Sequence, residues 1–242
     1  MQIWRRLGGE ERLRLGSELS LFAQKLATAG ARQAHSQSPS QASVSPDPVS
    51  DRATSIVPIK TLQQITQTLT KLGICYMLTG CCASNYHGAP RSTVDIDFLI
   101  VANAREIEGL LKLLPINDYR FDLATAIEAA QGQSAFHIIH NASGWKIELL
   151  FFGSTAFDEQ RLQHRQQIMV EEASLFIESP ESLVVSQLQW AKSGHSSRQI
   201  EDAAGILKLQ GTSLDFDYIE NWVNRLGLSS QWATARKLAV LP

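Results

Sequence analysis

The chain has 242 residues, of which 44% are hydrophobic and 19% are charged. This composition is typical of a folded globular protein and excludes a collagen-like, repeat-only or wholly disordered chain. The 22 Lys and Arg residues are balanced by 24 Asp and Glu residues. The balance excludes a large basic surface for nucleic acid, although it leaves room for a local basic patch.

Membrane insertion and disulfide bonding are both disfavoured by the sequence. No stretch approaches the roughly 18 to 20 consecutive apolar residues of a membrane-spanning helix, and the first residues form no unbroken apolar signal region. We therefore predict a cytoplasmic protein that makes no membrane contact. The three cysteines, Cys75, Cys81 and Cys82, lie within eight positions. This number and spacing fit neither a disulfide framework nor a zinc site, so we expect reduced thiols.

The N-terminal part is predicted to be a helix followed by a linker. Between Glu10 and Ala29 apolar residues recur at helical spacing, which predicts an amphipathic helix that needs a packing partner. The tract from Ser36 to Pro58 is rich in Ser, Pro and Gln and has almost nothing to bury, so we expect disorder there. The predicted division is a helix over 1–35, a linker over 36–58 and a folded body that starts near Ile59.

The body is predicted to be α/β. Its predicted elements are a helix over Leu62–Leu72, a strand over Ile74–Leu78, a strand over Val94–Val101, helices over Asn103–Leu114 and Leu123–Ala130, and a hairpin of Phe136–His140 with Trp145–Phe151. The hairpin makes the sheet mixed, because its two strands run in opposite directions. From Ser179 onward the patterns are helical only. We therefore expect a mixed α/β core over 59–178 and a helical bundle over 179–242.

Two aspartates mark a candidate site. Asp95 and Asp97 alternate with apolar residues on the second predicted strand, so their side chains share one face, with roots roughly 7 Å apart. Both carboxylates can therefore reach the same hard cations, and the acidic pair needs a counter-charge that magnesium would supply. Upstream, Thr79, Gly80 and Cys81 lie between a strand and a short helix, where backbone N–H groups can bind phosphate oxygens.

The spacing of these residues resembles a known signature. Leu78-Thr79-Gly80-Cys81 is followed, after thirteen residues, by Asp95-Ile96-Asp97, which resembles the nucleotidyltransferase superfamily of the polymerase-β type. The fuller pattern, Gly80, Ala83, Gly88, Arg91, Thr93, Asp95 and Asp97, resembles the AbiEii-like bacterial nucleotidyltransferases of toxin–antitoxin settings. The resemblance extends over about 61–232. It implies a nucleotidyltransferase-type mixed β-sheet with flanking helices, followed by C-terminal helices.

The resemblance also implies roles for individual residues. Asp95 and Asp97 would bind two magnesium ions that bridge the triphosphate of an NTP. Glu148 would hold the ion that activates the acceptor hydroxyl, and would take its proton. The nucleotide-binding residues implied are Thr79, Gly80, Cys81, Arg91, Thr93 and Lys146. Lys146 shares a strand face with Glu148, so it can either approach a phosphate or pair with an acidic neighbour.

Three departures from the family pattern leave two functions open. Cys81 replaces Gly or Ser, Glu148 replaces Asp, and Gln187 replaces Lys. The first hypothesis is transfer of an NMP from an NTP to a hydroxyl of RNA, such as the 3′ end of a tRNA, of a protein or of a small molecule, with an antitoxin as a further partner. The second is a degenerate nucleotide-binding or partner-binding module with little or no turnover.

Several other residues have simpler explanations. Arg91 is either a loop cation or a ligand of the triphosphate or acceptor. Arg198 and Asp202 are four residues apart on a predicted helix, which favours a local ion pair over a role in the site. The tryptophans of the C-terminal region, Trp190, Trp222 and Trp232, are expected to pack between helices and not to stack on bases.

Overall fold

The computed structural model describes residues 9–36, 57–88, 90–93, 95–171, 173–194 and 197–240. The helices are α1 (Gly9–Ser36), α2 (Val57–Lys71), α3 (Gly80–His87), α4 (Ala104–Leu113), α5 (Leu123–Gly132), α6 (Ala156–Gln163), α7 (Pro180–Gly194), α8 (Ser197–Gln210), α9 (Phe216–Leu226) and α10 (Ser229–Ala239), with a 3₁₀ turn over Gly211–Ser213. Positions 37–56 of the predicted linker lie outside the described residues, and the predicted division into four segments stays a prediction.

A seven-stranded sheet forms the centre of the protein. Its strands are β1 (Cys75–Thr79), β2 (Asp95–Val101), β3 (Tyr119–Arg120), β4 (Ala135–His140), β5 (Lys146–Phe151), β6 (Gln166–Val170) and β7 (Ala173–Ile177). Their order is β3-β4-β5-β2-β1-β7-β6. The pairs β2/β5 and β1/β7 are parallel and the other pairs are antiparallel. The predicted mixed α/β class, with helices at the C-terminus, is confirmed.

The strands place alternate residues on two faces of the sheet, and the first face packs on helices. Ile96 and Phe98 on β2 and Ile147 on β5 are completely buried, and they belong to one hydrophobic cluster with the apolar stripe of α2, Leu62, Ile65 and Leu69. The other residues of β2 and β5 face the opposite side of the sheet, since successive side chains of a strand alternate. That second face carries the acidic residues.

Helix α1 has a packing partner, as its amphipathic pattern predicts. The ring of Phe22 meets Trp145 edge to face at 5.3 Å. Gly30 lies directly on α3, where a Cβ atom would come within 1.9 Å of the carbonyl oxygen of Tyr86. Only glycine therefore allows this approach, and Tyr86 adds a hydrogen bond from its hydroxyl to Gln33.

The three cysteines and the helices agree with the sequence analysis on two simple points. All three cysteines are free thiols. Within the described part of the chain, none of the helices combines the length and apolar character that a membrane crossing requires. The cytoplasmic location stays a prediction.

A buried histidine is expected to make the fold sensitive to acid. His87 is almost completely buried and lies 2.8 Å from the carbonyl oxygen of Glu178, to which its Nε2–H donates. Burial lowers the pKa of His87 from 6.5 to about 4. The unfolded chain therefore binds a proton between these values while the folded chain does not, so stability is lost as the pH falls through this window.

The loss attributable to His87 should reach roughly 3 kcal/mol near pH 4. Urea unfolding of the wild type and of His87→Gln, compared from pH 7 to pH 4, measures it, because glutamine can keep the donor to Glu178 and does not titrate. We expect the wild type to lose more stability than the variant. Equal losses in the two proteins would show that His87 titrates normally.

Candidate active site

Four strands bring polar side chains into one row across the sheet. Thr79 on β1 is paired with Asp97 on β2, Asp97 with Glu148 on β5, and Glu148 with His137 on β4. Directly paired residues of neighbouring strands project to the same face, about 5 Å apart. The structure therefore places Asp97 and Glu148, predicted from different parts of the sequence, side by side. His137 at the end of the row was not predicted to approach the site.

A second pair lies one step along the same face. Asp95 on β2 is paired with Lys146 on β5. The Nζ of Lys146 lies 3.8 Å from Oδ1 of Asp95 and 3.3 Å from Oε2 of Glu148, so these two carboxylates converge on one ammonium group. Of the two alternatives for Lys146, the structure shows the pairing with acidic neighbours.

The absence of a side chain at Gly80 leaves room for the carboxylate of Asp97 at the start of α3. Its φ of +60° is in the left-handed region, and a Cβ atom at this position would lie 2.1 Å from Oδ2 of Asp97. Both facts require glycine. The backbone N–H of Cys81 donates a hydrogen bond to the same carboxylate. The predicted turn between strand and helix thus exists, and the amide of Cys81, the second residue of α3, interacts with Asp97.

The surroundings of Asp97 disfavour the ionised form of its carboxyl group. Its pKa is raised from 3.8 to about 7, first because of burial and then because of the neighbouring charges of Glu148 and Asp95, while Lys146 and the amide of Cys81 act in the opposite direction. Asp97 is 9% exposed. The ionised form of this carboxylate is therefore costly in the protein alone, and a cation beside it would relieve the cost.

The carboxylates of Asp95 and Asp97 fit magnesium, which needs few protein ligands, better than they fit a metal ion that is bound by protein side chains alone. In the described ranges, no group of three or more His, Cys, Asp or Glu side chains is gathered closely enough to hold a metal ion. Magnesium, however, is usually held by one or two carboxylates together with substrate phosphates and water. Asp95 and Asp97 supply hard oxygen ligands of this kind, and the excess negative charge at Asp97 fits a divalent cation.

A cavity of about 390 Å³ opens beside the aspartates. Asp95 and Asp97 line one end, while Glu148 and Lys146 are not among the lining residues. The remaining lining comes from α3 and the loop after it, and from α7 and α8: Cys81, Arg91, Ser92, Thr93, Gln187, Trp190, Arg198, Gln199 and Asp202. The sheet, the N-terminal part of the body around α3, and the C-terminal helices α7 and α8 therefore all contribute lining residues.

Arg91 is fixed at the edge of this cavity. Its backbone N–H and carbonyl are both bound by the side chain of Asn85, each at 2.8 Å. Its guanidinium makes a bidentate ion pair with Asp202, at 2.7 and 2.6 Å. The predicted local pair between Arg198 and Asp202 is therefore replaced by a pair that links the loop to α8. Arg198 has no ion-pair partner among the described residues.

The other predicted nucleotide-binding residues differ in their access to the cavity. Cys81 lines it, and burial raises the pKa of its thiol to about 11, so the thiol is uncharged at neutral pH. Thr93 also lines it, and its hydroxyl accepts a hydrogen bond from the backbone N–H of Asp95. Thr79 is completely buried, and its hydroxyl donates to Glu178. Only the first two side chains therefore face the space beside the aspartates.

A buried network behind the site was not predicted. The carboxylate of Glu178 is completely buried. It accepts hydrogen bonds from Arg161 at 2.7 and 3.1 Å, from Ser186 at 2.6 Å and from Thr79. A glutamate at the end of a strand, directly before a Ser-Pro helix start, is the only sequence signal for it. The network ties the end of β1, and so the turn at Gly80, to α6 and α7.

Comparison with known proteins gives low similarities. No protein-family model and no curated protein matches the chain. An antigenic nucleotidyltransferase-like protein from Paracoccidioides brasiliensis is 21% identical, with a TM-score of 0.43, over 72% of this chain and 92% of its own. A putative nucleotidyltransferase from Thermotoga maritima is 15% identical, with a TM-score of 0.42, over 62% and 95%. ANT(2″)-Ia in complex with adenylyl-2″-tobramycin is 12% identical, with a TM-score of 0.47, over 72% and 98%.

Proposed function

We propose that the protein is a magnesium-dependent nucleotidyltransferase that moves an NMP from an NTP to an acceptor hydroxyl and releases pyrophosphate. The observation that carries the proposal is the position of Asp97. It lies on β2, in register with Glu148, and its carboxylate is next to Gly80 at the start of α3. Its pKa is raised to about 7 by burial and by two neighbouring carboxylates. Perturbed carboxylates in a cleft are typical of functional sites.

Each residue has a defined task in this proposal. Asp95 and Asp97 would hold the magnesium ions together with the triphosphate. The ions would neutralise the charge that develops on the attacking and leaving oxygens. Glu148 would accept the proton of the acceptor hydroxyl while the oxygen of that hydroxyl attacks the α-phosphorus. Arg198, which lines the cavity, would provide a cation for a phosphate group.

The finer assignments are also proposals. The spacing from Gly80 to Asp97 supports a place among the AbiEii-like nucleotidyltransferases, and with it a toxin–antitoxin setting and an antitoxin partner. The acceptor would be the 3′ end of an RNA such as tRNA, a protein hydroxyl or a small molecule. The balanced net charge of −2 does not choose among these acceptors.

A transfer assay tests the proposal. Purified protein is incubated with each α-labelled NTP, magnesium and either total RNA or cell lysate. We expect label in one acceptor fraction, and we expect Glu148→Gln to lower it by about a hundredfold or more, because the variant keeps the shape but loses the base. Glu159→Gln, at an exposed position of α6, is the matched control and should retain full transfer.

A second candidate function is favoured by Lys146. Its ammonium group lies between Asp95 and Glu148, where it already compensates part of the negative charge that a metal ion would compensate. This arrangement suits a module that binds a nucleotide or a partner without turnover. Nucleotide binding without label transfer, in wild type and in Glu148→Gln alike, would establish the module and exclude the enzyme.

A further inference from the structure

A second cavity, of about 470 Å³, lies beside the acidic row on the same face of the sheet. Leu99 on β2 is paired with Leu150 on β5, and Leu150 with Ala135 on β4. All three residues line this cavity. Leu99 and Leu150 follow Asp97 and Glu148 by two positions on their strands, so they share the face of these carboxylates, with side-chain roots roughly 7 Å away. The second cavity therefore lies one step along the sheet from Glu148.

Trp190 lines this cavity as well as the one beside the aspartates. The other two tryptophans of the C-terminal region pack on rings as predicted, Trp222 on Phe157 and Trp232 on Phe216. Trp190 lies on α7 and is half-buried. Its side chain therefore forms part of the boundary between the two cavities.

The two cavities have suitable positions for two substrates that react with each other. Asp97, which lines the first cavity, and Leu150, which lines the second, are both neighbours of Glu148 on one face of the sheet. In nucleotidyl transfer the attacking and leaving oxygens lie on opposite sides of the α-phosphorus, roughly in line. A triphosphate at the aspartates and an acceptor in the second cavity would satisfy this requirement.

The charged groups at the second cavity favour a cation. Two charged side chains, Asp158 and Arg161, are among its lining residues. Arg161 donates to Glu178 at 2.7 and 3.1 Å, and its Nη1 lies 3.4 Å from Oδ1 of Asp158. One guanidinium group thus serves two carboxylates, so the three side chains together carry a charge of −1 when both carboxylates are ionised.

Two helix ends strengthen this preference. Ser193, in the last turn of α7, and Gln133, the C-cap of α5, line the second cavity. The C-terminal end of a helix carries a partial negative charge, because its last carbonyl groups have no partner within the helix. Lys192, the basic residue in the last turn of α7, donates instead to the carbonyl oxygens of Leu226 and Gly227. Both helix ends therefore favour a positive group in the cavity.

We propose that the second cavity binds the acceptor, and that the acceptor is a small molecule with a hydroxyl group and an ammonium group. The proposal rests on the proposed function, because it takes the reaction to be nucleotidyl transfer. The volume of about 470 Å³ is that of a small-molecule site. The same negative surroundings repel the phosphates of an RNA 3′ end.

Each group of this acceptor has a place at the site. Its ammonium group pairs with Asp158, and its hydroxyl lies beside Glu148. Glu148 takes the hydroxyl proton, the hydroxyl oxygen forms the new bond to the α-phosphorus, and the bond from the α-phosphorus to the leaving oxygen breaks to release pyrophosphate.

A fractionated cell extract tests the class of acceptor. The protein is incubated with the four α-labelled NTPs, magnesium and one of four fractions: RNA, protein, small molecules retained by a cation exchanger, and small molecules that pass through it. We expect label transfer only with the retained small molecules. Transfer to RNA, to protein or to the unretained small molecules would support the enzyme and overturn the acceptor seat. No transfer with any fraction would overturn the proposed function, and the acceptor seat with it.

Filling the second cavity should separate the acceptor from the nucleotide. Leu150→Trp should lower kcat/KM for the retained acceptor by about a hundredfold, because the larger side chain occupies the acceptor's space. The affinity for the α,β-methylene analogue of the NTP used, measured by calorimetry with magnesium, should stay within about twofold, which also shows that the variant is folded. Met169→Trp, at an exposed position of β6, is the matched control and should change neither value. An unchanged kcat/KM in Leu150→Trp would overturn the proposal.

Removing the charge of Asp158 tests the ammonium group. Asp158 accepts a hydrogen bond from the hydroxyl of Thr155 at the start of α6, and Asp158→Asn can keep this bond. We expect the variant to raise KM for the acceptor by about tenfold with little change in kcat, as for a lost charge-assisted contact made equally before and during the reaction. Added salt should raise KM of the wild type more than that of the variant.

Glu159→Gln, at the next position of α6 and exposed, is the matched control and should behave as the wild type in both measurements. An equal KM in Asp158→Asn and in the wild type would overturn the assignment of the ammonium group to Asp158. A loss in kcat alone would also overturn it, because that is the effect of a displaced α6 and not of a lost binding charge.

Discussion

Asp97→Asn is expected to abolish nucleotidyl transfer and, in the same protein, to stabilise the fold at alkaline pH. The transfer rate should fall by roughly a thousandfold, since in the proposed mechanism Asp97 would hold the ions that stabilise the transition state. The stability should rise because burial and two neighbouring carboxylates raise the pKa of Asp97 from 3.8 to about 7. Asparagine removes the charge and can still accept the N–H of Cys81.

The sign of the pH dependence follows from the raised pKa. Between pH 3.8 and pH 7 the folded chain binds the proton more tightly than the unfolded chain, so this group costs stability as the pH rises. The full cost is present above pH 7. The gain in Asp97→Asn should therefore be largest at pH 8, at most roughly 4 kcal/mol, and should shrink toward pH 4.

Urea unfolding in the presence of EDTA, at pH 8 and at pH 5, measures this gain. Asp217→Asn, at an exposed position of α9, is the matched control and should change the stability by no more than about 0.5 kcal/mol. Added magnesium should raise the melting temperature of the wild type and leave that of Asp97→Asn nearly unchanged. If Asp97→Asn were less stable than the wild type at pH 8, the conclusion that the ionised carboxylate of Asp97 destabilises the fold would be contradicted.

Removing one partner of the buried pair behind the site should have the largest effect on stability. Arg161 and Glu178 are 6% and 0% exposed and form two hydrogen bonds, at 2.7 and 3.1 Å. In Arg161→Met the carboxylate of Glu178 keeps only neutral donors, and an uncompensated buried charge costs about 3 to 5 kcal/mol. The turn at Gly80 is tied to Glu178 through Thr79, so transfer should also fall.

A double-mutant cycle separates the pair from its surroundings. Glu178→Gln removes the charge and keeps an acceptor oxygen for one of the two hydroxyls, Thr79 or Ser186. Arg161→Met/Glu178→Gln should therefore recover about 2 kcal/mol or more relative to the sum of the single variants. Denaturant midpoints of the four proteins measure the coupling. Lys112→Met is the control, because the Lys112–Glu108 pair on α4 is exposed and is worth about 0.5 kcal/mol or less. If the effects of the two single variants on the free energy of unfolding were additive, Arg161 and Glu178 would have no energetic coupling.

The elements around the acidic residues were predictable because their patterns are strong. β2, the β4–β5 hairpin and the helices after Ser179 follow from alternation, turn residues and helical spacing. β6 and β7 were missed. The hairpin turns at Glu171, which takes a left-handed φ of 54° without the Gly or Asn that would signal it. β6 is also an edge strand with exposed residues at Gln166 and Gln167, so its apolar pattern is weak.

The acidic site was predictable in its members and not in its surroundings. The alternation of Asp95 and Asp97 and the break that Glu148 makes in an apolar strand are local signals, and the register then places them together. Sequence spacing carries no information about which side chains meet across a hundred residues. For this reason the pairing of Arg91 with Asp202 and the burial of Glu178 were found only in the structure.

The contact between α1 and the body bears on how the protein can be produced. Phe22 covers Trp145, and Gly30 brings α1 onto the backbone of Tyr86. A shortened chain that begins at Val57 would expose a tryptophan and a tyrosine on one side of the molecule, next to the helix that carries the glycine turn. Such an exposed apolar patch promotes self-association. Removing the N-terminal residues to aid crystallisation would therefore make aggregation of the shortened protein more favourable.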